Sequence, residues 1–261
     1  GWRARSRPWR GCARWWPQRP GVILFSVRPQ EMEPGPGVTG FAAAVNVDGS
    51  GYRVLDEQHQ SAGTPAPSPD GRTLAYGSGE EGWLYRWDTG PEPFGPAAYG
   101  LEAPKGVHMG SPAWSPDGRC LAWVAGGGFG AGGNYRVGVA VFDLQARQAW
   151  VLHPYEPSGT GSWPAPPAWS ADGRWLAFYA HDRDTARSGL WVLRADGSQA
   201  EERHFEAGTA VWSPEGRWLA YMDARAQGAP GLRLAEVDTW KVQRGDLAPE
   251  VALVAWMEAG W

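Results

Sequence analysis

"SPDGRTLAY" (residues 68–76) decides the fold, because the chain repeats it as "SPDGRCLAW" (115–123), "SADGRWLAF" (170–178) and "SPEGRWLAY" (213–221). The four serines stand at 68, 115, 170 and 213, so the copies are 47, 55 and 43 residues apart. A self-similar period in the 40s marks one supersecondary unit per repeat, each burying its faces against its neighbours. A fifth, worn copy closes the chain: "VAWMEAGW" (254–261) aligns with "PAWSPDGR" (112–119) and puts Met257 in the serine slot.

Each copy carries its own mechanism. In Ser-Pro-Asp-Gly the proline presets the second turn position, the aspartate tolerates the third, and the glycine accepts the positive φ that closes a tight hairpin. Ala171 and Glu215 are mild replacements, whereas Gly71, Gly118, Gly173 and Gly216 never change. This reading makes the aspartates structural. Before the turn comes a short apolar strand ending in Trp114, Trp169, Trp212 or Trp256, with Pro67 in that slot in the first copy. After it comes "RTLAY", "RCLAW", "RWLAF" or "RWLAY", apolar at nearly every position, as in a strand covered on both faces. A third strand ("GWLYRWDTG", "RVGVAVFDL", "GLWVLRADG", "GLRLAEVDT") and a more polar fourth ("QAWVLH", "WKVQRGD") complete a unit that reads as a propeller blade.

The chain ends fit the same scheme. "GVILFSV" (21–27), "FAAAVNVDGSG" (41–51) and "YRVLDEQ" (52–58) fill the second, third and fourth slots of a blade that lacks its first strand. "VALVAWMEAG" (251–260) is a first strand without followers. Joined, they make one blade and close the ring, leaving no open edge there. The expected fold is therefore all-β: a five-bladed propeller of four-stranded blades over residues 21–261, preceded by an arm over residues 1–20.

Composition agrees. The 261 residues include 37 Gly, 23 Pro and 18 Trp beside 43% hydrophobic residues, too apolar for disorder and too rich in turn formers for a helical bundle. The formal charge is −4, which argues against a protein built to hold nucleic acid. It is unevenly spread: residues 1–20 carry six arginines and no acid, so by subtraction residues 21–261 hold ten negative charges net. No apolar run reaches the length of a membrane span, and the first residues lack the apolar middle of a secretory signal. A soluble chain whose signal has been removed is the expectation. Cys12 and Cys120 either form one clamp or stay as two thiols.

The stretches "WSPDGR.LAF" and "VNVDGSGYRVL" resemble the WD40-like, or PD40, β-propeller repeats of TolB-type proteins, which also occur in the propeller domains of prolyl-oligopeptidase-like peptidases. The resemblance covers roughly residues 21–261 and implies the fold, while that repeat serves many functions. It also implies a bacterial, extracytoplasmic location. TolB has a further domain before a six-bladed ring, and the sequence shows neither that domain nor a sixth blade.

Chemistry is harder to find. A five-bladed glycosidase needs carboxylates converging on the central channel, yet the innermost strands ("AGTPAP", "HMGSPA", "WPAPPA", "AGTAV", "APEVAL") offer one acid, Glu250. "GTGSWPA" (159–165) and "GSGEEG" (77–82) do not form a nucleophile elbow. His59, His108, His153, His181 and His204 lack metal-ligand spacing, and the glycine-rich 125–134 lacks the residues of a phosphate loop. These readings give no catalytic residue, no metal and no cofactor, and the expectation that the chain is not an enzyme. The segments 88–106 and 125–134 read as long loops where a ligand-binding propeller of lectin or sensor type would bind.

Trp2, Trp9, Trp15 and Trp16 belong to no repeat. With Arg3, Arg5, Arg7, Arg10, Arg14 and Arg19 they form a cationic aromatic segment. Such a segment rests on its own acidic body, meets an anionic membrane surface or nucleic acid, or reaches into another copy. An arm of one sign and a body of the other favour the last. The functional expectation is a protein-interaction scaffold that binds other copies of itself or another envelope protein, as a homo-oligomer or an extracellular filament.

Overall fold

The computed structural model describes residues 22–27, 40–59, 62–78, 81–101, 107–127, 137–155, 166–182, 187–198, 203–205, 207–223 and 231–244. They form five antiparallel sheets in chain order. The first holds β1 (Val22–Val27), β2 (Phe41–Asn46) and β3 (Arg53–Val54). The second holds β4 (Ala62–Pro67), β5 (Thr73–Ser78), β6 (Glu81–Arg86) and β7 (Gly90–Phe94). The third holds β8 (Val107–Trp114), β9 (Cys120–Gly127), β10 (Val137–Asp143) and β11 (Gln148–Tyr155). The fourth holds β12 (Ala168–Trp169), β13 (Trp175–Asp182), β14 (Arg187–Arg194) and β15 (Arg203–Phe205). The fifth holds β16 (Ala207–Trp212), β17 (Trp218–Asp223), β18 (Gly231–Glu236) and β19 (Val242–Arg244).

Strands follow one another across each sheet without crossover, the meander of a propeller blade. The core is shared between blades. Leu74 and Tyr76 pack with Ala42 and Ala44 of the first sheet; Leu121, Trp123 and Phe142 with Leu84 and Phe94 of the second. Leu176 and Trp191 pack with Val139 and Val141 of the third sheet, and Leu219 and Tyr221 with Trp175 and Val192 of the fourth. Every apolar cluster thus draws on two consecutive sheets, which is why the second strand of each repeat is apolar at nearly every position.

The repeated turn is built as its residues dictate. Gly71, Gly118, Gly173 and Gly216 have φ of +67°, +71°, +71° and +72°, a region that disfavours any Cβ. The Gly71 amide donates to the Ser68 carbonyl (2.8 Å), and the Ser68 hydroxyl donates to Asp70 Oδ1 (2.6 Å) while accepting from the Thr73 amide (3.0 Å). Ser115 with Asp117 and Ser170 with Asp172 repeat the hydroxyl contact at 2.6 Å. Consecutive turns also touch: a Cβ built on Gly118 would lie 3.6 Å from Pro69 Cδ.

The repeat tryptophans hold blade to blade. Trp114 Nε1 donates to the Ala66 carbonyl, Trp169 Nε1 to Ala113 and Trp212 Nε1 to Ala168, each at 3.0 Å. Each indole reaches the carbonyl two residues before the serine of the preceding copy, so the wedge is also a hydrogen bond that sets inter-blade register. Pro67, in the tryptophan slot of the first copy, has no such donor.

One expectation is corrected. Residues 88–101 are not a loop insertion: Gly90–Phe94 is the fourth strand of the second sheet and Pro96–Tyr99 a short 3-10 turn, while residues 102–106, and 128–134 of the other expected loop, lie outside the described residues. Pro91 and Pro93 lack donors, but the outermost strand of a blade needs bonds on one side only. The turn is part of the core, since Tyr99 lies 4.8 Å from Phe94 and 5.6 Å from Phe142 between ring centres. Residues 251–260, expected to complete the first sheet, lie outside the described residues, as do residues 1–20.

Candidate functional site

Two places combine polar chemistry with access. The first is the end of the molecule that bears the repeated turns. In an up-and-down sheet the hairpin between the first two strands and that between the last two emerge at the same end, which concentrates turn carboxylates there. Their charges are handled unequally. Asp172 is held by Arg174 Nε at 2.5 Å. Asp117 has lost the equivalent partner, because Arg119 turns instead to Asp143 Oδ2, with Nε at 3.0 Å and Nη2 at 2.7 Å. Arg72 stands 4.0 Å from Asp70 Oδ2, with both side chains well exposed.

Asp70 and Asp117 line one groove between the second and third sheets, with a volume of about 470 Å³. Leu84, Trp114 and Leu144 give it an apolar floor, and Arg86 stands on its wall. Arg86 is neutralised by Glu92, whose Oε1 accepts from Nε (3.1 Å) and Nη2 (2.8 Å). The Ser68 hydroxyl and the Arg72 amide hold Asp70 below the usual carboxylate range, and the Ser115 hydroxyl and Arg119 amide do the same for Asp117. Both are anions at neutral pH.

The second place is where the first sheet meets the second. Asp56, only 4% exposed, follows β3 and accepts four hydrogen bonds. Its Oδ1 takes the amides of Gln58 (2.9 Å) and His59 (3.2 Å); its Oδ2 takes the Tyr76 hydroxyl (2.5 Å) from β5 and His59 Nδ1 (2.7 Å). Burial pushes the Asp56 carboxyl up, but the Tyr76 and His59 donors outweigh it and its pKa is lowered. Burial, then Asp56, push the Tyr76 phenol well above its ordinary value. Opposite an anionic acceptor, His59 Nδ1 is the donor of this contact. Its ring stacks on Trp83 with centres 3.5 Å apart and planes 23° apart. A buried carboxylate therefore orients a partly exposed imidazole. In the sequence His59 is one of five scattered histidines, because Trp83, on which its ring stacks, arrives from another sheet.

His108, His153, His181 and His204 lie on β8, β11, β13 and β15, spread over two sheets. Among the described residues no three His, Cys, Asp or Glu side chains come together as metal ligands. Cys120 is half-buried below its turn, and burial, with Asp143 and Asp117 adding to it, pushes its thiol up to about 11. Its expected alternative partner Cys12 lies outside the described residues. So do Trp2, Arg3, Arg5, Arg7, Trp9, Arg10, Arg14, Trp15 and Trp16, the expected partner-binding set, and Glu250.

Sheets that meander, share their cores in sequence and repeat a turn closed by a positive-φ glycine define the β-propeller fold. TolB from Acinetobacter baumannii is similar over 86% of this chain and 52% of its own, at 18% identity and TM-score 0.54. An oligogalacturonate lyase in complex with manganese matches 78% of this chain and 58% of its own (15% identity, TM-score 0.58). A puromycin-hydrolyzing peptidase of Mycobacterium tuberculosis matches 80% and 36% (17% identity, TM-score 0.58). The chain thus spans just over half the length of the TolB and lyase chains. No family model and no curated protein sequence matches it.

These neighbours correct the expectation that the chain is not an enzyme. That exclusion rested on missing convergent carboxylates, a missing nucleophile elbow and missing metal-ligand spacing, and the same fold occurs in a lyase and in a peptidase. Among the described residues no helix is long and apolar enough to cross a membrane.

Proposed function

We propose that this chain is a β-propeller interaction scaffold of bacterial, extracytoplasmic origin that self-associates through residues 1–20, into a closed oligomer or a filament. The ring comprises residues 21–261 and is closed by residues 251–260 pairing with β1. The observation that carries this reading is the segregation of charge: six arginines and four tryptophans in the first 20 residues, no acid among them, on a body with ten net negative charges. Opposite charge steers encounter, and Trp and Arg are the residues that anchor interfaces. Deleting residues 1–20 is expected to leave a folded monomer by circular dichroism and sedimentation velocity. An assembly state unchanged by the deletion overturns the reading.

A catalytic reading has one observation in its favour, the imidazole of His59 held by buried Asp56 at 2.7 Å, as in general acid–base sites. Its test is turnover of ester, peptide and uronate-polysaccharide substrates by the wild type and by His59→Ala. Turnover that survives His59→Ala removes this pair from consideration.

A further inference from the structure

We propose that the groove between the turns 68–72 and 115–119 is the receptor for the Arg/Trp segment 1–20 of a second copy. This rests on the self-association reading above and names its docking surface. Three observations point there. Among the turn aspartates with an arginine two residues on, Asp70 and Asp117 are the ones that no guanidinium holds closely, and they line the same groove. Asp172, in the next copy of the turn, is already neutralised by Arg174. The groove's own guanidinium, Arg86, is occupied by Glu92, so the lining leaves a deficit of positive charge.

The floor supplies the other half of the match. Leu84, Leu144 and Trp114 are apolar, and the one polar atom of the Trp114 side chain is spent on the Ala66 carbonyl. A volume of about 470 Å³ falls within the roughly 300–1,000 Å³ of small-ligand pockets, room for an indole and the stem of an arginine rather than a folded domain. An occupant that offers guanidinium groups and indoles close together is the complement of two carboxylates over such a floor. "RPWRGCARWW" (residues 7–16) supplies three of each within ten residues.

The test uses the full chain and three forms of it. Asp70→Asn with Asp117→Asn removes both charges while keeping an Oδ1 acceptor for the serine hydroxyls and arginine amides. A second form replaces the six arginines of residues 1–20 by serine. Sedimentation equilibrium of wild type and both forms is expected to show self-association weakened about tenfold or more by either change, since each strips charge from one desolvated interface. If the arginine form dissociates and the Asn form does not, the groove is wrong and the self-association reading stands. If neither differs from wild type, both fall. If the Asn form alone dissociates, the segment is not the occupant.

The third form is independent of any folding defect in the Asn variant. A photo-cross-linking residue replaces Trp15 in the otherwise unchanged chain, and light and heavy copies are mixed. Cross-links from a light chain to Leu84 or Leu144 of a heavy one are expected. Links within one copy, or to any other surface, overturn the proposal.

Discussion

Replacing Tyr76 by Phe deletes one hydroxyl from the interface of the first and second sheets and leaves the ring in place, so no cavity opens. What is lost is a 2.5 Å hydrogen bond to a carboxylate that is 96% buried. Hydrogen bonds to charged groups contribute about 1.5–3 kcal/mol, and Asp56 keeps its three other donors, so a loss of about 2 kcal/mol is expected. At about 2–4 °C per kcal/mol for a chain of this size, the midpoint falls by about 4–8 °C in thermal unfolding followed by circular dichroism at pH 7. The difference has a pH signature. The Asp56 pKa is lowered in the folded state, so its stabilisation is present above the unfolded value of about 3.9 and is lost as pH falls through the folded one. The gap between wild type and Tyr76→Phe therefore narrows at the acid end. A loss below about 0.5 kcal/mol at pH 7, or a gap that stays constant into acid, refutes the reasoning that an ionised Asp56 ties the first sheet to the ring.

Further outcomes follow from the same geometry. Gly77→Ala is expected to cost about 3 kcal/mol or more in denaturant unfolding, because its Cβ would collide with the Met109 carbonyl oxygen of the next sheet. Gly90→Ala, with φ of +85° and nothing within 4 Å, is expected to cost only about 1 kcal/mol, from backbone strain. Trp169→Phe keeps most of the wedge but deletes the indole's bond to the Ala113 carbonyl, which keeps its place in the β8–β9 ladder, and about 0.5–1.5 kcal/mol should be lost in the same assay. Cys120, with its thiol near 11, should react with iodoacetamide at pH 8 far more slowly than a free cysteine, and a rate equal to that of free cysteine contradicts its burial.

How much of this was legible depends on how local each signal is. The Ser-Pro-Asp-Gly turns, their positive-φ glycines and the second and third strands are written in contiguous residues, and the sheets stand where the repeats place them. The three-stranded first sheet was equally legible. Strand Gly90–Phe94 was not, because "GPEPF" carries the composition of a loop and only its outer position makes two prolines tolerable. The Asp56–Tyr76–His59 cluster escaped for another reason: its members are up to 20 residues apart and meet only when two sheets stack. The loss of Arg119 from Asp117 to Asp143 is equally invisible in sequence. "SPDGR" reads the same in the first two copies, and the difference lies at position 86 or 143, where the third strand brings an arginine or an aspartate.

The ring closed by its own two ends is the claim on which the proposed arm and its groove depend. In the described blades Trp114 faces Leu121 and Pro112 faces Trp123, and carried over to the first sheet this register sets Trp256 opposite Ile23 and Val254 opposite Phe25. Val254→Cys with Phe25→Cys, in a chain whose Cys12 and Cys120 are serine, should form a disulfide within one molecule under mild oxidation, seen by mass spectrometry of separated monomers. A pair that stays reduced, or that forms only between molecules, contradicts the closure.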